Sequence, residues 1–242
     1  MTDQDHAALQ AAKDLLENPG LAIKIASALG TPIEKLMDWL PRGIEGMIGN
    51  VTRTALGKAA DGAIYTLGNS PGGKASNRWH KFAVAASGAG GGFFGMAGLP
   101  VELPLSTTIM LRSIADIARS EGFDLDDMET RRQCIAVLGL GGRSTRDDAA
   151  DAGYLAARAG LARAISEGGS KLIASVAARF SVQVTEKVAG QAVPVLGAAA
   201  GAVINTLFID HFQDMARGHF AYLRLANKYG EDVVALAYEQ LR

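Results

Sequence analysis

The chain has 242 residues with 24 basic and 25 acidic side chains, so its formal net charge is −1. This balance excludes the basic excess typical of nucleic-acid-binding proteins, and the single cysteine, Cys134, excludes an intramolecular disulfide. The positive mean hydropathy, +0.12, reflects alanine and glycine more than aromatic residues, which favours closely packed helices. The acidic, polar first residues lack a secretory signal, and we expect a cytoplasmic protein.

The first quarter of the chain is predicted to form four helices. They span residues 3–17, 21–29, 31 to about 40, and 44–67. The third has a strong start signal, with Thr31 as N-cap, Pro32 at the first helical position and Glu34 completing a capping box. Gly57 and Gly62 are expected to break or loosen the fourth helix, because glycine lowers helix stability.

The remainder is also predicted to be helical. A polar loop at 68–77 precedes a glycine-rich helix at 78–98, and helices follow at 105–120, 128–140, 152–166, 170–189, 194–229 and 232–242. Pro100 and Pro104 are expected to separate two of these helices, and Asp124 or Asp126 is expected to cap the helix at 128–140. With no alternating β-branched run, the chain is predicted to be all-α.

Two helices carry small residues at helical spacing. The first stripe comprises Gly88, Gly91, Gly95 and Gly98, and the second comprises Gly197 and Gly201, with Asn205 one turn later. Such stripes expose backbone along one helix face and permit close approach of another helix. We therefore predict a single multi-helix bundle around two glycine- and alanine-rich central helices.

Two long segments lack charge and leave open whether they enter a membrane. Residues 82–101 and 188–209 are uncharged for 20 and 22 residues, a length that crosses a bilayer. Their small side chains supply little insertion energy, and the second segment contains Gln191, Pro194 and Asn205. The alternatives are a pair of membrane helices and a pair of central helices buried by their neighbours.

Two glycine-rich motifs resemble nucleotide-binding loops only in part. Gly90-x-Gly92-x-x-Gly95 matches the dinucleotide pattern, but no convincing strand precedes it. The segment 68–74 approaches a phosphate-binding loop, but Ala75 stands where the motif needs Ser or Thr. Helix packing and a polar loop are the preferred interpretations, and a nucleotide-binding regulator using Gly90–Gly95 remains an alternative.

Polar side chains at core-facing positions are the candidate binding residues. Asn205 shares an apolar helix face with Phe212, and His219 lies beside it. Glu102 follows an uncharged run and, if buried, requires a cation, for which Arg112, Arg158 and His219 are the candidates. The candidate polar cluster comprises Glu102, Arg112, Tyr154, Arg158, Asn205 and His219.

Other chemistry is weakly indicated. Arg112 and Asp116 have the spacing of an i,i+4 helix pair, as do Tyr154 and Arg158. The spacing of His211, Asp214 and His219 does not place three metal ligands on one face, and we expect no metal and no cofactor. Cys134 lies in an apolar stretch and is predicted to be a small core residue.

Three segments together resemble the bacterial EcsC family. They read NPGLAIKIASALGTPIEKLMDWLP, GGGFFGMAGLPVELPLSTTIMLRSIADIARSEGFDLDDMETR and QAVPVLGAAAGAVINTLFIDHFQDMARGHFAYLRLANKYG, and Tyr154-x-x-x-Arg158 between them also fits. The resemblance implies one EcsC-like helical domain over 1–242, with N-terminal helices in 1–67 and the core in 78–242. Glu102 is a departure, because the family more commonly has Asp there.

The family has no established activity, and its name comes from an operon that encodes an ABC transporter. The resemblance therefore implies work near a membrane, linked to transport or secretion. We expect a non-enzymatic protein, cytoplasmic or peripheral on the inner membrane, that binds a membrane surface, lipid or membrane-protein partner, and no nucleic acid. The alternative is a hydrolase in which Glu102 and His219 converge.

Overall fold

A computed structural model describes residues 1–17, 20–62, 99–141, 153–192 and 197–241. Over these ranges the chain forms ten helices and no strand, which confirms the all-α prediction. The helices are α1 (Asp3–Leu16), α2 (Leu21–Leu29), α3 (Ile33–Asp38), α4 (Ile44–Gly62), α5 (Leu99–Ser120), α6 (Met128–Val137), α7 (Tyr154–Ser166), α8 (Gly169–Gln191), α9 (Gly197–Tyr229) and α10 (Glu231–Gln240).

Several helix ends agree with their sequence signals. The Thr2 hydroxyl accepts a hydrogen bond from the backbone N–H of Asp5 and so caps α1. Gly30 ends α2 with φ of 63°, a left-handed conformation in which glycine lacks the steric penalty of other residues. The last long helix ends at Tyr229, as predicted, and the next begins after Gly230, with φ of 93°.

Two predicted caps are wrong. Thr31 does not cap α3, because Pro32 is the N-cap and no side chain bonds the first turn. The N-cap of α6 is Asp127, not Asp124 or Asp126. Its side chain accepts hydrogen bonds from the backbone N–H groups of Glu129 and Thr130. Asp124 instead accepts the N–H of Asp126 in the preceding turn, because a short acidic side chain bonds whichever local N–H lies nearest.

Glycine and proline interrupt the helices less than predicted. The helix α4 continues through Gly57, and α5 begins at Leu99 and contains both Pro100 and Pro104. Pro100 lies in the first turn, where a backbone N–H has no intrahelical acceptor in any case, so only Pro104 removes a helical hydrogen bond. Glu102 is therefore a first-turn helical residue and not part of a loop.

The helix α9 runs through the middle of the bundle. Its 33 residues span roughly 50 Å at 1.5 Å per residue, and it packs against α1, α2, α5, α6, α8 and α10. It is parallel to α5, since Gln213 bonds Ser113 and, further along the chain in both cases, Arg224 bonds Glu121, the residue that follows α5. The helix α4 packs against both α5 and α8.

The glycines that permit close helix contact in the described ranges are Gly190 and Gly218. A Cβ at Gly218 would lie 2.6 Å from Leu16 Cγ and 2.9 Å from the Ala12 carbonyl oxygen, so α1 rests directly on the backbone of α9. The predicted stripe at Gly88, Gly91, Gly95 and Gly98 lies outside the described residues. Gly197 and Gly201 fall in the first turns of α9, and their predicted packing stays a prediction.

Neither uncharged segment is shown as a membrane-crossing helix. No helix within the described ranges combines the length and apolarity needed to cross a bilayer. The segment 188–209 is divided, because α8 ends at Gln191 and α9 begins at Gly197. Of the segment 82–101, only the last three residues are described.

We predict that Gly218→Ala destabilises the protein by about 1–3 kcal/mol, because the added methyl group overpacks the α1–α9 contact. The measurement is the free energy of unfolding in urea. The matched control is Gly57→Ala in α4, where an added Cβ meets no atom within 4 Å and the helix gains roughly 0.5–1 kcal/mol. Equal effects of the two substitutions would contradict the close contact.

Candidate functional site

A buried ion pair joins the start of α5 to the end of α8. Lys187 Nζ donates to Glu102 Oε1 at 2.6 Å, and the two side chains are 1% and 6% exposed. The ammonium group also lies 5.1 Å from the ring centroid of Phe208 on α9. Burial lowers the pKa of Lys187, and the Glu102 carboxylate opposes that shift. The carboxylate therefore maintains a charge that the core alone would disfavour.

An amide pair lies next to this ion pair. Gln191 Nε2 donates to Asn205 Oδ1 at 3.3 Å, and Asn205 is fully buried. Lys187 and Gln191 are one turn apart on α8, while Asn205 and Phe208 are one turn apart on α9. We call Glu102, Lys187, Gln191 and Asn205 the polar layer.

A second buried group surrounds His219. Tyr154 Oη lies 2.8 Å from His219 Nδ1, and His219 Nε2 lies 2.9 Å from Gln133 Oε1. Burial lowers the pKa of His219 to about 3 and raises that of Tyr154, so both groups are neutral at physiological pH. The Tyr154 hydroxyl then donates to Nδ1, and Nε2–H donates to Gln133, which in turn donates to Glu129 at 2.8 Å.

Arg158 lies beside this histidine group but has its own partner. It bonds both carboxylate oxygens of Glu231 on α10, with 2.8 Å between Nη2 and Oε2. The Tyr222 hydroxyl donates to the same carboxylate at 2.9 Å, and the guanidinium lies 5.0 Å from the Tyr222 ring centroid. These contacts join α7, α9 and α10.

The six candidate residues do not form one site. Tyr154 contacts His219, and Glu102 and Asn205 belong to the polar layer, but Asn205 and His219 are separated by roughly 21 Å of helix at 1.5 Å per residue. The described partners of Glu102 and His219 are different residues, and the convergence that a hydrolase would need is not observed. Arg112 is partly buried on α5.

The sequence prediction missed the partners of the candidate residues. The cation of Glu102 is Lys187, not Arg112, Arg158 or His219. Asp116 contacts Arg119 rather than Arg112, because the i,i+3 neighbour on the helix also reaches it. Lys187 did carry a signal, since it follows Phe180 and Val184 at helical spacing on a buried face, but that position alone does not show which carboxylate it meets.

The residues considered for metal binding or nucleophilic chemistry have other environments. His211 Nε2 donates to the Gly141 carbonyl at 2.6 Å, while Asp214 pairs with Arg217 at 3.0 Å and with Lys24 at 3.7 Å. Cys134 is fully buried, as predicted, and burial raises the pKa of its thiol. The nucleotide-like segment Gly90–Gly95 lies outside the described residues.

The match to a family model covers both buried groups. The EcsC protein family model matches residues 72–225, which include the whole polar layer together with Gln133, Tyr154 and His219. The chain belongs to the EcsC protein family. No curated protein matches the chain, and no solved structure does. Glu231, the partner of Arg158, lies beyond the matched residues of this EcsC protein.

Next to Lys187, the side chain of Glu186 is directed to a different helix. The backbone N–H of Ala22, in the first turn of α2, favours the charged form of the Glu186 carboxyl group, and burial opposes this effect more strongly. Burial raises the pKa of Glu186 from 4.5 to about 7. The neutral form of the Glu186 carboxyl group is therefore favoured in the folded protein.

We predict that Lys187→Met destabilises the protein by about 3 kcal/mol or more, because the Glu102 carboxylate remains buried without its cation. The double variant Glu102→Gln/Lys187→Met should recover most of this loss, since neither side chain is then charged. Urea unfolding of the single and double variants measures the coupling. The control is Arg132→Met, which removes an exposed pair with Glu129 at 3.9 Å and should change stability by less than about 1 kcal/mol.

We predict that Glu186 lowers stability as the pH rises from 4.5 through 7. In this interval the folded protein binds the proton more tightly than the unfolded chain, so the free energy of unfolding falls with increasing pH. Glu186→Gln removes the titrating group and should be more stable than the wild type at pH 8.5, by up to about 3 kcal/mol, but similar at pH 4. Urea unfolding across this range tests the prediction, and the exposed Glu167→Gln should retain the wild-type profile.

Proposed function

We propose that the protein is a non-enzymatic helical protein that binds a membrane surface from the cytoplasmic side. The contact is made by the end of the bundle where α5 and α9 begin and α8 ends, which we call the charge-free end. The observation that carries the proposal is that every charged residue of 99–111, 185–192 and 201–209 is buried, namely Glu102, Glu186 and Lys187.

The three helix ends lie together. The bond between Lys187 and Glu102 joins α8 to α5, and the bond between Gln191 and Asn205 joins α8 to α9. Helices that face water ordinarily carry charged residues on their exposed side, whereas the charged residues of these three segments are buried. The exposed surface of the segments is uncharged and therefore suits the apolar part of a membrane interface.

Exposed apolar side chains supply the contact. Val101 and Leu105 lie one turn apart on α5 and are 76% and 50% exposed, and Val203 on α9 is 49% exposed. The sequence that precedes α5 is uncharged from residue 82. Burying half of a valine or leucine contributes roughly 1 kcal/mol, so the three together give weak, reversible association of the kind expected for a peripheral protein.

We predict that wild-type protein floats with vesicles of phosphatidylglycerol and phosphatidylethanolamine and that Leu105→Glu reduces the floating fraction about tenfold. Placing a carboxylate in the interface opposes insertion, and about 1.4 kcal/mol corresponds to a factor of ten. The matched control is Leu236→Glu on α10, a residue that is 58% exposed and belongs to none of the three segments.

Two results would refute the proposal. One is a wild-type protein that stays at the bottom of the gradient with both anionic and neutral phosphatidylcholine vesicles. The other is an equal loss of flotation for Leu105→Glu and Leu236→Glu, because a general effect of added charge would then explain both. Circular dichroism of each variant establishes that the helices are retained.

A further inference from the structure

One hydrogen-bond donor of the polar layer, Asn205 Nδ2, lacks an acceptor within the described part of the chain, and a second, Lys187 Nζ, has more N–H groups than described acceptors. Asn205 is fully buried and its Nδ2 has no hydrogen-bond partner there. Lys187 has three N–H groups, and its described acceptor is Glu102. Buried donors are ordinarily paired, because an unpaired one loses its hydration without compensation. A molecule that supplies acceptors would complete this layer.

The two donors are held close to each other. Lys187 and Gln191 are successive residues on one face of α8, and Gln191 holds Asn205 through its side-chain oxygen, leaving the nitrogen of Asn205 as the open donor. Phe208, one turn from Asn205 on α9, lies under the Lys187 ammonium group. Lys187 and Asn205 are therefore neighbours across the contact between α8 and α9.

The charge of the layer restricts the ligand to a neutral one. Glu102 already balances Lys187, so a carboxylate or phosphate would leave an uncompensated negative charge in the core, which is strongly unfavourable. A neutral ligand with two acceptor oxygens avoids that penalty. An ester group has this chemistry, and its oxygens accept hydrogen bonds without adding charge.

The surroundings of the layer are apolar, which suits contact with hydrocarbon rather than with a polar group. Phe208 packs against Phe180 with ring centroids 6.0 Å apart, and the exposed side chains of the charge-free end begin at Val101, next to Glu102. We infer that the polar layer binds the ester group of a neutral acyl lipid, with Asn205 Nδ2 and Lys187 Nζ as donors. The inference rests on the proposed function, since the membrane surface is the source of the lipid.

The test is equilibrium binding of radiolabelled monooleoylglycerol, at concentrations below its aggregation threshold, with oleate as the anionic comparison. Wild-type protein should bind the ester and should bind oleate at least tenfold more weakly. Asn205→Leu removes the open donor and keeps the side-chain volume similar, so it should fold and bind the ester at least tenfold more weakly. The matched control is Gln213→Leu, which replaces another buried amide of α9 that is bonded to Ser113 and lies roughly two turns from Asn205, and it should bind as wild type does.

A charge change gives a second, independent readout. Glu102→Gln leaves Lys187 buried without its carboxylate, so the variant is destabilised and an added anion that enters the layer should raise its unfolding temperature. Oleate should supply the missing negative charge, so the preference should invert, with oleate bound more tightly than the ester. Such an inversion is not expected from a residue with a purely structural role.

Each outcome is decisive. Unchanged ester binding in Asn205→Leu, an equal loss in Gln213→Leu, or wild-type protein that prefers oleate would overturn the inference. If wild-type protein floats with vesicles but binds no monooleoylglycerol, the inference fails and the proposed function stands. If it neither floats nor binds the ester, both fail.

Discussion

The ion pair between Glu102 and Lys187 is the constraint on which the architecture at one end of the bundle depends. Two opposite charges are stable in a core only when they meet with good geometry, and removal of either leaves the other uncompensated. The pair fixes the first turn of α5 against the last turns of α8, within reach of Phe208 on α9. Three helices that are distant in sequence are thereby held in one register.

This pairing also determines what the bundle presents to its surroundings. Because Glu102 and Lys187 neutralise each other internally, and Glu186 is buried as well, the adjoining helix ends expose apolar and small residues instead of charges. The ordinary route to an uncharged surface is to have few charged residues nearby. Here charged residues are present in the sequence but are buried in the folded protein. The apolar surface of the charge-free end therefore results from tertiary packing and not from local composition.

Local signals in the sequence predicted most helices and several of their ends, because caps such as Thr2 and stops such as Gly30 act within a few residues. They did not predict that α5 extends through Pro104, since tertiary packing outweighs one lost backbone hydrogen bond. They identified Glu102, Asn205 and His219 as polar groups on buried faces, but not Lys187 as a partner. Pairing across 85 residues depends on which helices are neighbours, and helical periodicity carries no information on that.

The two buried polar groups differ in a way that separates a structural role from a binding role. Around His219 the donors and acceptors form a directed chain from Tyr154 through Gln133 to Glu129, and each described group is used. Such a network adds rigidity, and its side chains already serve as hydrogen-bond partners for one another. The polar layer has balanced charge but unbalanced hydrogen bonding, because Asn205 Nδ2 is an open donor in the core. The layer also combines this donor with a buried charge pair and adjoins the exposed Val101 on α5, and so the layer, rather than the histidine group, is where a ligand of this EcsC protein is to be sought.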